Sequence, residues 1–172
     1  MPKNASPAKV AATRGYGANV ILEGINYDES YSKAKEIAKE TGAIIIQAFD
    51  DPHIIAAQGV VGLEILEDLP DVDEIYLPIG GGGLAAGTVI AIKEKNPNVR
   101  VIGVQSKSFP SMYESVKQNE RTLTGGDRTI ADGISVKMPG EITFDIIKNM
   151  IDEIVLVGDD EITKAMFLLM ER

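Results

Sequence analysis

At 172 residues the chain has the size of one ordinary domain, and 44% hydrophobic against 25% charged residues describe a globular protein able to bury a core. A net charge of −9, with 26 acidic against 17 basic residues spread along the chain, argues against a nucleic-acid or anionic-membrane surface. Zero cysteines and one histidine leave no disulfide and no thiolate or multi-histidine metal site; no apolar run has bilayer length, "MPKNASPAKV" lacks a signal-peptide core, and a cytoplasmic protein is expected.

Ser6-Pro7 pairs a cap residue with a first-turn proline and opens a helix to about Arg14. "ANVILEG" (18–24) reads as a strand and "YDESYSKAKEIAKETG" (27–42) as an amphipathic helix stopped by glycine. "AIIIQAF" (43–49) follows as a strand, and Asp51-Pro52 starts a helix through "HIIAAQGVVGLEILEDL". Strands at 73–79, 100–106 and 153–158 then alternate with helices at 84–96, 111–118, 141–150 and from Asp159 to the end, leaving 119–140 irregular. Apolar strands separated by helices predict an α/β fold, an open doubly wound parallel sheet with helices on both faces. The last helix stops at "FLLMER" with an apolar face and no capping glycine, so the chain is expected to be cut from a longer one.

Four consecutive glycines, Gly80 to Gly83, stand between a strand and a helix. In an open α/β sheet ligands bind beyond the carboxyl ends of the strands. Glycines let backbone amides approach an anion, and the following helix adds unpaired N–H groups and the positive end of its dipole. A Walker A loop fails because no lysine lies in it. Gly80-x-Gly82-x-x-Ala85 formally fits a dinucleotide fingerprint, but the next strand ends on Gln105 where a ribose-binding acid is needed. A monophosphate cup, for a cofactor such as pyridoxal phosphate, and a glycine loop serving tight packing alone complete the readings. His53, in a first helical turn, reads as a surface residue, and Tyr27, Tyr31 and Tyr113 as packing or rim residues.

"MPKNASPAKVAATRGYGANVIL", "FDDPHIIAAQG", "PIGGGGLAAG", "VIGVQS" and "TIADGISVKMPG" together resemble the threonine ammonia-lyases (threonine dehydratases), fold-type II pyridoxal-phosphate enzymes, over the whole chain. Serine racemases are relatives, and the run of the chain looks more like the catabolic branch than the one serving isoleucine biosynthesis. The resemblance implies that Gly80, Gly81, Gly82, Gly83 and Leu84 wrap the phosphate of pyridoxal 5'-phosphate, and that Ala131, Asp132 and Gly133 lie near the cofactor ring and substrate. For Asp132 a plain Asp-Gly turn is the other reading. About 1–50 would come from the small subdomain and 51–172 from the large one, together a single α/β unit.

The resemblance also implies departures. The Schiff-base lysine and the Ser-Ser-Gly-Asn-His segment of the family lie upstream of "MP", and the residue at the pyridine nitrogen lies downstream of "MER". No catalytic residue is therefore expected here, and a parent enzyme would turn threonine or serine into 2-oxobutanoate or pyruvate and ammonia while this piece stays inactive. Gln105 and Ser111 occupy positions of a cation site in some relatives, so no metal is expected. Ala57 and Val60 replace the usual Gly and Thr. A homo-oligomer and a nucleotide effector are further expectations, against the alternative of a non-catalytic flavodoxin-like or oligomerising module.

Overall fold

Ser6 and Pro7 open the first helix as their order predicts, although the Ser6 side chain makes no cap bond: α1 runs over Pro7–Gly15. The computed structural model describes residues 1–25, 27–126 and 128–171. Contacts divide them into two compact units, Met1–Ile46 and Gln47–Arg172.

In the first unit, α2 (Tyr27–Thr41) ends at Gly42, whose φ of 73° suits glycine and whose N–H bonds the Ala38 carbonyl at 2.8 Å. Tyr27 and Tyr31 stack along its face with centroids 5.8 Å apart, and Lys35 lies over the Tyr31 ring. The strands expected at 18–24 and 43–49 are not formed among the described residues. Residues 21–24 meet the chain start instead: the Met1 amine donates to Ile21 O at 2.8 Å, Glu23 N to Met1 O at 2.9 Å and Lys3 N to Gly24 O at 2.8 Å. Ile44 and Ile46 stay 88% and 76% exposed. Branched residues favour a strand only where a neighbouring strand takes up their amides and carbonyls, and 43–46 has none among the described residues.

The second unit follows the expected alternation: α3 (Pro52–Asp68), β1 (Glu74–Pro78), α4 (Gly83–Lys95), β2 (Arg100–Ser106), α5 (Ser111–Gln118), a 3₁₀ turn at Asp132–Ile134, α6 (Glu141–Met150), β3 (Glu153–Val157) and α7 (Asp159–Met170). The strands are parallel in the order β1-β2-β3, with Ile75 opposite Val101 and Gly103 opposite Ile154. The fold is thus α/β, a parallel sheet flanked by helices. On β2 the successive Val101 and Ile102 are both buried, so that strand is covered on both faces, whereas β1 alternates buried Ile75 and Leu77 with exposed Glu74, Tyr76 and Pro78.

The core joins Ile75, Leu77 and Ile79 to Val89 and Ile92 of α4, Met112 of α5, and Phe144 and Ile147 of α6. Helix α3 lies against α4 through small residues, with Gly59 facing the Gly87 carbonyl and Gly62 the Thr88 carbonyl. At the amino ends of the strands, Arg100 of β2 pairs with Glu74 of β1 and, at 3.2 Å, with Glu153 of β3. These exposed pairs each contribute less than about 1 kcal/mol but all favour one register. Lys93 and Asp152 meet at 2.7 Å, and Asp152 also accepts from Val101 N at 2.7 Å, tying the end of α4 to the sheet. The opposite, carboxyl ends of β1 and β2 carry the glycine loop and the 129–134 segment.

Candidate functional site

Sheet pairing runs one residue past β1, through a 2.8 Å bond from Ile79 N to Val104 O, and ends where the glycines begin. Gly81, Gly82 and Gly83 are buried. Gly82 is the N-cap of α4 with φ 102°, a left-handed conformation that an L side chain resists. A Cβ there would also stand 2.8 Å from Thr143 Cβ and 2.9 Å from Met112 Cε. On Gly81 it would lie 2.5 Å from the Phe49 ring. Tight packing is therefore one reason for these glycines.

The loop has a second feature. Among the described residues, no protein group accepts a hydrogen bond from the amides of Gly80, Gly81, Gly82, Gly83 or Leu84. Buried amides without a partner cost free energy unless something accepts from them. The other helices of this unit are provided for. Asp51 caps α3, accepting from His53 N at 2.8 Å and Ile54 N at 3.4 Å. The hydrogen bond from His53 N is the main cause that holds the Asp51 carboxyl below its ordinary pKa. Gln105 of β2 caps α5, its Oε1 accepting from Tyr113 N at 2.9 Å. Asp50 caps α6, accepting from Glu141 N at 2.8 Å, Ile142 N at 3.0 Å and Thr143 N at 3.2 Å. Helix α7 carries Asp159, Asp160 and Glu161 in its first turn. Helix α4 has neither a side-chain cap bond nor a first-turn acid. Its positive end faces the glycine loop uncompensated, which is the arrangement of an anion site.

The geometry also decides the dinucleotide reading. Gln105 is fully buried and its carbonyl oxygen is engaged by α5, so it does not project where a ribose could be held. Its Nε2 is buried without a hydrogen-bond partner among the described residues. His53 is a surface residue as expected, with its side chain 97% exposed.

Ala131, Asp132 and Gly133 come to the same end of the sheet as the glycine loop. Asp132 starts the 3₁₀ turn, and Ile134 Cα lies 3.0 Å from where a Cβ on Gly80 would stand. The segment is pinned by its neighbours: Asp159 accepts from Thr129 Oγ1 at 2.6 Å and Ile130 N at 3.0 Å, while Thr129 Oγ1 accepts from Ala131 N at 3.2 Å and Ser106 Oγ at 3.3 Å. Phe49, Asp50 and Thr143 are the site residues that the sequence reading missed. A hint for Asp50 lay in the paired Asp50-Asp51, of which one suffices for α3, and in Gly140, a helix start without a capping side chain, but nothing local joined the two.

The pyridoxal-phosphate dependent enzyme family matches residues 1–172. The L-threonine ammonia-lyase of Thermotoga maritima is 48% identical over 172 residues, which are 100% of this chain and 43% of that protein. The L-threonine dehydratase catabolic TdcB of Escherichia coli (strain K12) is 48% identical over the same span, 52% of its length. Maize serine racemase superposes with a TM-score of 0.92 at 31% identity, covering 97% of this chain and 50% of that one. The chain spans about half the length of the curated relatives it matches. With its parallel α/β sheet, its glycine loop before an uncapped helix, and a match along its full length, the chain belongs to the pyridoxal-phosphate dependent enzyme family.

Proposed function

We propose that this chain is part of a threonine ammonia-lyase, which converts L-threonine to 2-oxobutanoate and ammonia, the water lost on dehydration being regained on hydrolysis, and acts on L-serine to give pyruvate and ammonia. One observation carries the reading: the unpartnered amides of Gly80 to Leu84 at the uncapped start of α4, in a chain 48% identical to an L-threonine ammonia-lyase. The donor set fits the cofactor phosphate. Several N–H groups and a helix dipole converge there, no protein carboxylate caps the helix, and side chains at Gly81 or Gly82 would collide with Phe49 or Thr143. When bound, the cofactor supplies an electron sink for the α-carbon of the amino acid. The chain's own part is to hold the phosphate through Gly80, Gly81, Gly82, Gly83 and Leu84, and to border the ring and substrate with Ala131, Asp132 and Gly133. None of its lysines matches the family's catalytic lysine motif, so the 172-residue chain by itself binds without turning threonine over.

In this reading about 1–50 belongs to the small subdomain and 51–172 to the large one, which the division of contacts after Ile46 supports. The enzyme is cytoplasmic, of the catabolic branch, responsive to a nucleotide effector, and a homo-oligomer. The last point is supported by an apolar groove of about 500 Å³ lined by Ile55, Val60, Leu63, Ile90, Ile142 and Ile146. Serine racemase activity is the second reading, favoured by the TM-score of 0.92 to the maize enzyme.

The test is to titrate the purified chain with pyridoxal phosphate, follow the ³¹P resonance, and assay 2-oxobutanoate, pyruvate and D-serine. Saturable phosphate binding without turnover is expected. A lysine labelled stoichiometrically after borohydride reduction, together with threonine turnover, would overturn the inactive reading. No ³¹P response would overturn the cup.

A further inference from the structure

We infer that Thr143 is the positioning residue that aims the Gly81–Gly82 peptide, so that the Gly82 amide faces the bound phosphate; the inference rests on the phosphate reading above. A peptide joining two glycines is the easiest kind to rotate, because neither Cβ restricts ψ of the first or φ of the second. Left to itself, this peptide would exchange its carbonyl for its N–H on the ligand side. In a trans peptide the two point in opposite directions, so fixing one fixes the other.

The fixing contacts are specific. Gly81 O accepts from Thr143 Oγ1 at 2.6 Å and from Gly140 N at 3.3 Å. Both donors belong to the start of α6, so the carbonyl points toward α6 and the Gly82 N–H away from it. Thr143 is fully buried, leaving its hydroxyl no water to bond instead. Its own backbone N–H is held by Asp50 at 3.2 Å. A Cβ on Gly82 would stand 2.9 Å from the Thr143 hydroxyl oxygen, so the threonine packs flush against the peptide it restrains. The sequence 140–143 therefore does two things at once: it starts a helix and it locks the loop.

The experiment uses the ¹⁵N-labelled 172-residue chain with inorganic phosphate and pyridoxal phosphate as probes. Thr143→Val removes the hydroxyl at nearly constant volume and is expected to weaken phosphate binding about tenfold, the loss of one buried hydrogen bond. The residual dipolar coupling of the Gly82 N–H, measured without ligand, should change in the same variant. Thr143→Ser keeps the hydroxyl and should restore both readouts, with affinity within about twofold of wild type. Thr143→Ala carries the same readouts should the valine variant not fold. If the Gly82 coupling and the phosphate affinity are unaltered in T143V or T143A, the inference is wrong. If wild type binds neither probe, the phosphate reading fails, and the ligand-free coupling still decides: unchanged in the variants, it overturns the lock; changed and rescued by serine, it upholds it.

Discussion

Replacing Asp50 with alanine should unfold the start of α6 and cost about 2–3 kcal/mol. The carboxylate accepts from the amides of Glu141, Ile142 and Thr143, and Gly140 at the N-cap has no side chain to take over. Loss of a cap costs about 1 kcal/mol, up to about 2. Loss of a carboxylate from the positive end of a helix adds about 0.3–1 kcal/mol. Glu141 and Ile142 are exposed, so water replaces the acid for their amides, but Thr143 is fully buried and its amide is left unsatisfied. For a chain of this length the sum corresponds to a melting temperature lower by about 5–10 °C. Asp50→Asn retains the oxygen position that meets Ile142 and Thr143 and should cost only about 1 kcal/mol. Urea unfolding followed by far-UV circular dichroism reads both variants, and the m value should stay that of wild type. Should the two units unfold separately, the change belongs to the transition of the second. An alanine variant within about 0.5 kcal/mol of wild type, or an asparagine variant as damaging as alanine, refutes the cap as the main role of Asp50.

Gly87→Ala should cost about 3 kcal/mol or more, because the new methyl falls on the Ile55 carbonyl and 2.7 Å from Gly59 N, all backbone atoms that cannot yield; thermal unfolding measures it, and a neutral result means that α3 and α4 can separate freely. For Asp152, burial alone would raise the carboxyl pKa, but hydrogen bonds from Lys93 and Val101 N, with the charges of Lys93 and Arg100, outweigh it and hold the group below its ordinary value. A depressed carboxyl stabilises the fold above its unfolded pKa of about 3.9 and loses that contribution as pH falls through the folded value. Asp152→Asn should therefore be less stable near neutral pH, with the gap to wild type closing below about pH 4; a gap independent of pH in urea titrations contradicts the pair. Asp159→Ala should leave Ile130 N without its acceptor and speed its hydrogen exchange about tenfold, while amides of β1 keep their protection; uniform acceleration across the sheet would mean global destabilisation instead.

How much of this could be read from the chain differs between the two units for one physical reason. Helix α5 at Ser111–Gln118, α6 at Glu141–Met150 and strand β2 at Arg100–Ser106 coincide with their expected bounds because the period, the prolines and the flanking glycines are local signals. The segments 18–24 and 43–49 carry the same branched residues as β2, yet β2 has β1 and β3 on either side, whereas among the described residues 21–24 pairs backbone to backbone only with the short stretch 1–3 and 43–46 pairs with no strand. Strand propensity is half of a strand; a paired neighbour is the other half. Gly80 to Leu84 stood out as a candidate anion loop from composition and position. The support beneath it was not, since the bonds from Asp50 to α6 span 91 to 93 residues, and no window of sequence contains both ends.

On the proposed reading, the distribution of acids explains how a chain of net charge −9 could hold an anion without one lysine or arginine between Gly80 and Leu84. Carboxylates near helix starts lower the energy of the fold, and this unit uses them on α3, α6 and α7, while α5 has Glu114 in its first turn beside the neutral Gln105. A carboxylate at α4 would stabilise that helix by the same amount and would occupy the amides that a phosphate needs. Four glycines there give up that stabilisation, and the unit recovers rigidity from Asp50 and Thr143 rather than from any residue of the loop. The proposed cup is thus held open by its neighbours, and on that reading the affinity for a phosphate depends on residues that never touch it. That dependence is what sequence motifs for glycine loops omit, and it makes α6, more than the glycines themselves, the element whose alteration discriminates between a loop that packs and a loop that binds.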